Sequence, residues 1–191
     1  FDGQVDFYRT YQAPFDYSTV ALNKFGKNLL NRKKAAISNG TLIFSDNRQT
    51  FTSTGGGDFN IVLGKYKDFV GKTITISYDY IERKSSVGRN SFSTILLADA
   101  TQITNFYVNA GNKASKTITI PENDEAENLV LRQYYGYVTS AEGDYIVIEN
   151  LQVEIGNRAT EWEEYKEPVV YESSSDGTVF GVEGFFPSTT L

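Results

Sequence analysis

The side chains best suited to binding chemistry are tyrosines, asparagines, an arginine and an aspartate that recur at alternate positions of extended segments. Tyrosine rings stack on the C–H-rich faces of sugars, while amide, carboxylate and guanidinium groups hydrogen-bond sugar hydroxyls. An ordinary solvated sheet face with cross-strand pairs is the alternative interpretation of the same pattern. If the segments share one sheet, its open side would carry a carbohydrate-binding groove lined by Asp79, Asn105, Tyr107, Arg132, Tyr134 and Tyr137.

Catalytic chemistry has little support in the composition. The chain contains no histidine and no cysteine, so neither a Ser–His nor a Cys–His arrangement can exist. Glu161, Glu163 and Glu164 invite a glycosidase interpretation, in which two carboxylates flank a scissile bond. Closeness in sequence does not supply the separation that such a pair requires. We therefore predict a protein that is not an enzyme, with a polysaccharide-degrading enzyme as the weaker alternative.

The sequence contains no dedicated motif for a metal ion or a cofactor. The acidic run from Glu122 to Glu127 offers the hard oxygen ligands that calcium prefers. It lacks the Asp-x-Asp-x-Asp-Gly spacing of a dedicated calcium loop, so a solvated charge run is the favoured interpretation. Gly55–Gly57 lack the Lys-Ser/Thr that a phosphate-cradling loop needs. No cofactor is predicted.

The net charge and the hydropathy pattern limit the classes of partner that the chain could bind. The chain has 18 basic and 24 acidic side chains, a net charge of −6. An acidic domain is poorly suited to phosphate-backbone binding, which relies on clustered Lys and Arg, so no nucleic-acid partner is predicted. No apolar run approaches the roughly 20 residues of a membrane span, so no membrane partner is predicted either.

The elements that must position these side chains are β-strands. Residues 72–80 alternate Ile74, Ile76, Tyr78 and Tyr80 with polar residues, which predicts a half-buried strand. Segments 41–44, 48–52, 59–63, 92–98, 103–109, 116–120, 128–138 and 144–155 also read as strands. Short strands at this spacing, without helical periodicity, predict an all-β fold, an antiparallel β-sandwich with jelly-roll topology.

Three regions are predicted along the chain. Residues 1–25 form an N-terminal linker or edge segment, and residues 26–166 form the β-sandwich domain. Residues 167–191 form a C-terminal linker and the start of a following segment, because 166–175 are rich in Ser, Glu and Pro.

The last predicted strand carries a motif. Ile148, Asn150, Gln152, Glu154 and Gly156 follow the pattern I-x-N-x-Q-x-E-x-G, and A-T-x-W-x-x-Y follows at residues 159–165. This motif resembles the end of a carbohydrate-binding-module-like jelly roll found in tail and baseplate proteins of phages that infect Gram-positive bacteria. Asn28-Leu29-Leu30 resembles the opening of such domains, residues 71–80 resemble their first long strand, and residues 175–191 resemble the section that follows.

The resemblance covers residues 26–191 and implies a function and a location. It implies a non-catalytic recognition module in the phage virion, acting outside the cell and binding cell-wall polysaccharide of a Gram-positive host. Other tail or baseplate proteins would be partners, with several copies in a homo-oligomer. Some members of the family are structural spacers, so a docking module without sugar binding is the alternative. Related sandwiches often hold a structural calcium ion, which leaves a metal site open here.

Trp162 is the only tryptophan in the chain. A stacking platform for sugar is one interpretation of it. Its place just past the last strand favours another, in which the ring folds back with Tyr165 and seals the edge of the sandwich.

Overall fold

The computed structural model describes residues 28–136 and 138–167, together with the backbone of residues 172–173 and 179–180. Gly26–Lys166 form one compact unit. Outside this unit, Glu172–Ser173 and Val179–Phe180 pair as a short antiparallel ladder. The predicted segment 1–25, and most of 167–191, lie outside the described residues, so the predicted domain boundaries stay predictions.

The compact unit is built from strands joined by short loops and two turns of 3-10 helix, at Arg32–Lys34 and Tyr66–Asp68. Within the described residues, none of the helices has the length and apolar composition to span a membrane. The strands are β1 (Ala36–Ser45), β2 (Arg48–Lys65), β3 (Thr73–Lys84), β4 (Ser91–Ala98), β5 (Thr101–Asn109), β6 (Asn112–Thr119), β7 (Asn128–Tyr134) and β8 (Tyr145–Ile155).

The strand order confirms the predicted antiparallel β-sandwich and its jelly-roll topology. One sheet has the order β5-β4-β7-β2, and the other has the order β2-β8-β3-β6, with every pairing antiparallel. Except for the hairpin between β4 and β5, each connection from β3 to β8 crosses from one sheet to the other, as in a jelly roll. Strand β1 flanks β2 along its length. We call the two sheets the β7 sheet and the β8 sheet.

Strand β2 belongs to both sheets because it bends at its centre. Residues 48–52 pair with β8, and residues 58–65 pair with β7. Between them Gly55 and Gly56 have φ values of 140° and 88°, a backbone region that other residues rarely adopt. The two predicted strands 48–52 and 59–63 are therefore halves of one strand, and the glycine run is the bend that joins the sheets.

The core lies between the sheets and follows the alternation in the sequence. Four alternate residues of β3 are buried: Ile74, Ile76, Tyr78 and Tyr80. Across the sandwich they face buried residues of β7 and β4, which are Leu129, Leu131, Phe92 and Leu96. The intervening residues of these strands point outward. Because the period of a strand is two, the same alternation that builds the core also delivers two outward faces on which a ligand could bind.

Asp144 ties together the loops at one end of the sandwich. Its Oδ2 accepts hydrogen bonds from the backbone nitrogen and hydroxyl of Ser86, at 3.0 and 2.6 Å. It also accepts from the backbone nitrogens of Ser140 and Ala141, at 3.1 and 3.3 Å. Burial raises the pKa of this carboxyl, but the hydrogen bonds outweigh burial and hold the pKa at about 2.

Asp144→Asn is expected to lower the free energy of unfolding near neutral pH by about 1–3 kcal/mol, because the amide is a weaker acceptor and brings an unwanted donor. The folded pKa lies below the unfolded value of about 3.9, so the carboxylate's contribution is complete above that value and is lost as the pH falls toward 2. Urea unfolding at neutral pH and at about pH 2–3 should show the gap between variant and wild type closing in acid. A gap independent of pH would contradict this role.

Candidate functional site

The outward face of the β7 sheet gathers most of the predicted binding residues. Cross-strand register sets Tyr107 of β5 beside Ser93 of β4, Ser93 beside Tyr134 of β7, and Tyr134 beside Asp58 of β2. Adjacent strands lie about 4.8 Å apart, so the two tyrosines stand about 10 Å apart on one line. Their side chains are exposed, at 55% for Tyr107 and 38% for Tyr134. We call this surface, the outward side of β5, β4, β7 and the second half of β2, the tyrosine face.

A second row of outward-facing residues lies next to the first, two residues away along each strand. It joins Asn105, Ile95, Arg132 and Asn60 in register. The Arg132 Nε donates to Asn60 Oδ1 at 2.7 Å and lies 3.6 Å from Asp58 Oδ2. These two neighbours hold the guanidinium in place on the face, and a planar fork held in this way suits recognition of vicinal oxygens.

The tyrosine rings have defined surroundings. Ser93, which lies between them in register, is 1% exposed although it faces outward, so the surrounding side chains close over it. Its hydroxyl makes no hydrogen bond among the described residues. The Tyr134 ring lies over the backbone of Gly136, where a Cβ would stand 2.7 Å from the Tyr134 Cζ and Oη atoms. The absence of a side chain at Gly136 therefore allows the Tyr134 ring to lie close to the backbone.

The arrangement is suited to binding and carries no set of groups for bond cleavage. Two aromatic rings and the half-buried Ile95 supply apolar area, and Asn60, Asn105 and Arg132 supply planar donors and acceptors around it. A shallow surface of this composition can hold a sugar chain lying across the strands, with rings stacked and hydroxyls hydrogen-bonded at the edges.

The chain matches no protein-family model, and no curated protein matches it.

Solved structures with a similar fold include carbohydrate-binding modules. A family 4 module (CBM4) is 19% identical, with a TM-score of 0.43 over 64% of this chain and 78% of that chain. The N-terminal cellulose-binding domain of Cellulomonas fimi β-1,4-glucanase C is 10% identical, with a TM-score of 0.45 over 66% and 91%. The C-terminal family 22 module of Clostridium thermocellum Xyn10B is 10% identical, with a TM-score of 0.43 over 72% and 98%. Likeness at this distance concerns the fold alone.

The structure separates the predicted groove residues. Asn105, Tyr107, Arg132 and Tyr134 share the tyrosine face. Asp79 does not, because β3 belongs to the β8 sheet, so its side chain lies on the opposite side of the sandwich. Tyr137 lies outside the described residues. A single groove containing both Asp79 and Arg132 is therefore not what the structure forms.

Two polar residues of the tyrosine face are not among the groove residues that the sequence predicts. Asp58 and Asn60 contact Arg132, and they lie on the second half of β2. Their alternation with Phe59 and Ile61 is a signal that could have placed them outward. Their place on the tyrosine face could not be predicted, because it depends on the pairing of this half of β2 with β7, which only the fold shows.

The motif residues of the family resemblance hold the chain segment that follows β8. Glu154 accepts from the Thr160 backbone nitrogen at 2.8 Å and from the Thr160 hydroxyl at 2.7 Å. Gln152 accepts from the Glu163 backbone nitrogen at 2.9 Å. Asn28, from the Asn-Leu-Leu motif, donates to the Glu163 carbonyl at 3.1 Å and accepts from the Val153 backbone nitrogen at 3.2 Å. These motifs thus fasten both ends of the domain to β8.

Trp162 lies on this fastened segment. Its indole Nε1 donates to the Leu151 carbonyl at 3.3 Å, and the Arg32 guanidinium stands 5.3 Å from the centre of its ring. Arg32 also stands 5.2 Å from the Phe44 ring. These contacts hold the Trp162 ring beside β8, and the predicted sealing of the sandwich edge with Tyr165 stays a prediction.

The candidate metal ligands in the described part of the chain are acidic side chains. Among the described residues, no three acidic side chains come together in a group that could hold a metal ion. In the acidic run 122–127, Glu127 forms an ion pair with Lys65 at 2.6 Å. A structural calcium ion stays an expectation drawn from the family resemblance.

Proposed function

We propose that this chain is a non-catalytic carbohydrate-binding module of a phage tail or baseplate protein, and that its tyrosine face binds cell-wall polysaccharide of a Gram-positive host. The observation that carries the proposal is the register that places Tyr107 and Tyr134 on one line beside the held guanidinium of Arg132. Aromatic faces next to planar polar groups are what sugar recognition requires.

The shape of the face determines how such a module would work. The face is an open sheet surface, so one site is expected to be weak, with a dissociation constant of about 10 µM to 1 mM. Copies held together in a virion raise avidity by roughly 10²–10⁴ when several engage at once. A homo-oligomeric arrangement within the tail is therefore part of the proposal, with neighbouring tail proteins as partners.

The phage assignment rests on the family resemblance, which covers residues 26–191 and is most specific in β8 and residues 159–165. The motif residues support the fold by binding the chain segments at each end of the domain. They place the module in a virion only by resemblance. The location outside the cell at the moment of adsorption follows from that assignment.

A structural docking module is the second candidate, and one feature favours it. Strand β1 exposes Ile37 and Ile43, and Ile43 is 61% exposed. Exposed apolar residues on a strand that flanks a sheet are a common basis for protein contacts. In this case the sandwich would space or dock neighbouring tail proteins, and the tyrosine face would be an ordinary solvated surface.

The test is binding of the purified chain to cell walls of several Gram-positive species and to polysaccharide extracted from them. Saturable binding is expected for at least one wall, and the double variant Tyr107→Ala/Tyr134→Ala is expected to lose it. Ile43→Ala is the matched control, because it removes exposed apolar area from a different surface.

The outcomes distinguish the two functions and the two surfaces. Binding that is lost in the double variant and kept in Ile43→Ala supports polysaccharide recognition by the tyrosine face. Binding that Ile43→Ala abolishes would assign the contact to β1. Absence of binding by a folded chain, even when it is tetramerised to supply avidity, would overturn the recognition function in favour of the docking module.

A further inference from the structure

The β8 sheet has a cavity on its outward side, across the sandwich from the tyrosine face. Its volume is about 550 Å³, within the range of about 300–1,000 Å³ that is usual for small-ligand sites. Its floor is formed by two small side chains, Ser77 of β3 and Ser115 of β6, which are paired in register. The returning segment at residues 159–162 makes one wall, and Asp79, Lys113 and Asn150 make another.

The polar wall is held by its own contacts. Asn150 donates from Nδ2 to Asp79 Oδ2 at 2.7 Å, and the Lys113 ammonium lies 3.5 Å from Asp79 Oδ1. Asn150 has a φ of 56° inside a strand, which is unusual for a residue other than glycine. Asn47 donates to Asn150 Oδ1 at 2.8 Å and holds it there. The ladder between β3 and β8 is bulged between Ser77 and Asp79. Strained residues and bulges of this kind often aim side chains at ligands.

The opposite wall is aromatic. Trp162 lines the cavity, and its indole is held by the hydrogen bond to the Leu151 carbonyl and by the Arg32 guanidinium over its ring. Motif contacts of Gln152 and Glu154 fix the segment that carries it. The wall therefore presents a ring whose position is set before any ligand arrives, which lowers the entropy cost of binding.

We propose that this cavity is a second saccharide site, which takes a single sugar residue or a short saccharide end. The Trp162 ring supplies apolar area, and the Ser77 and Ser115 hydroxyls, Asp79, Lys113 and Asn150 supply donors and acceptors. The carboxylates of Asp79 and Glu161 outnumber the one ammonium, so neutral and amine-bearing sugars are favoured over uronic acids. The inference rests on the proposed function, and gives one domain two sugar-binding surfaces on opposite sheets.

Tryptophan fluorescence tests the site directly, because Trp162 is the only tryptophan in the chain. The full chain is titrated with glucose, glucosamine and glucuronate. We expect a saturable change in emission with glucose and glucosamine, at millimolar concentrations, and a response at least about threefold weaker with glucuronate, since like charges repel. Ser115→Phe fills the cavity from an exposed strand position and is expected to weaken the response about tenfold or more.

Two controls separate this site from the tyrosine face. Thr119→Phe adds the same ring on the same side of β6, beyond the cavity, and is expected to keep the response. Tyr107→Ala/Tyr134→Ala alters only the other sheet, so its emission change should match that of the wild type even where wall binding is lost.

The outcomes are decisive. A response that Ser115→Phe removes and Thr119→Phe keeps supports the second site. No emission change by a folded chain, or a change that persists in Ser115→Phe, overturns it. Neither result depends on wall binding, so failure of the second site and failure of the tyrosine face are distinguishable.

Discussion

Tyr134→Ala is expected to weaken binding of the domain to its wall polysaccharide by about tenfold or more, while the fold stays intact. Tyrosines that carry binding energy at a surface typically contribute about 2 kcal/mol or more, and a tenfold change corresponds to about 1.4 kcal/mol. Tyr134 is at the end of β7 and its ring faces outward, so its removal creates no core cavity. The expected loss is therefore one of affinity and not of stability.

Two further variants show which property of Tyr134 matters. Tyr134→Phe keeps the ring and should retain most of the affinity if stacking dominates. Gly136→Ala keeps the tyrosine but places a methyl group against its Cζ and Oη atoms, so the ring must shift and affinity should fall to an intermediate value. Calorimetric titration with extracted polysaccharide measures all three, and thermal unfolding monitors the fold. Unchanged affinity in Tyr134→Ala would remove Tyr134 from the site.

Phe51→Ala is expected to lower the free energy of unfolding by about 3–5 kcal/mol, the usual cost of truncating a buried aromatic side chain. Phe51 is buried on the first half of β2, and its ring stacks on Tyr135 with centroids 4.1 Å apart and planes 13° apart. Because Tyr135 follows β7, the pair joins the two sheets. The ring also packs so closely on Gly40 and Gly57 that a Cβ at either position would overlap it.

Urea unfolding measures this effect, read as a lower midpoint with an unchanged slope. Ile43→Ala is the matched control, since it truncates an exposed side chain of the neighbouring strand and is expected to change stability by less than about 0.5 kcal/mol. Equal losses in both variants would mean that the stacked pair has no special part in joining the sheets. A loss below about 1 kcal/mol in Phe51→Ala would show that the surrounding core closes the cavity.

The strands and their faces could be predicted because each depends on a local period of two. The alternation in residues 72–80 placed Ile74, Ile76 and Tyr78 in the core. The same period placed Tyr107, Arg132 and Tyr134 outward, each relative to its own strand. Boundaries were less accurate: β7 ends at Tyr134 and not at residue 138, and segments 48–52 and 59–63 are a single bent strand.

The composition of the site could be predicted only within each strand. Asn105 and Tyr107 on β5 and Arg132 and Tyr134 on β7 share a face because both strands pair with β4. Asp79 has the same outward orientation on its strand but lies on the other sheet. Alternation determines which side of a strand a residue occupies, and it carries no information about which strands become neighbours, because pairing joins residues distant in the chain.

The amino-acid sequence by itself determined that the chain forms outward and inward strand faces, that His- and Cys-based chemistry is excluded, and that residues 148–165 carry a motif. Only the tertiary structure decided that Asp58 and Asn60 hold Arg132, and that Asp79 and Trp162 line a separate cavity. It also showed that Gln152 and Glu154 fasten the segment after β8. The reason is physical: local periodicity follows from backbone geometry, whereas each of these groupings depends on contacts between distant residues that form when the two sheets pack.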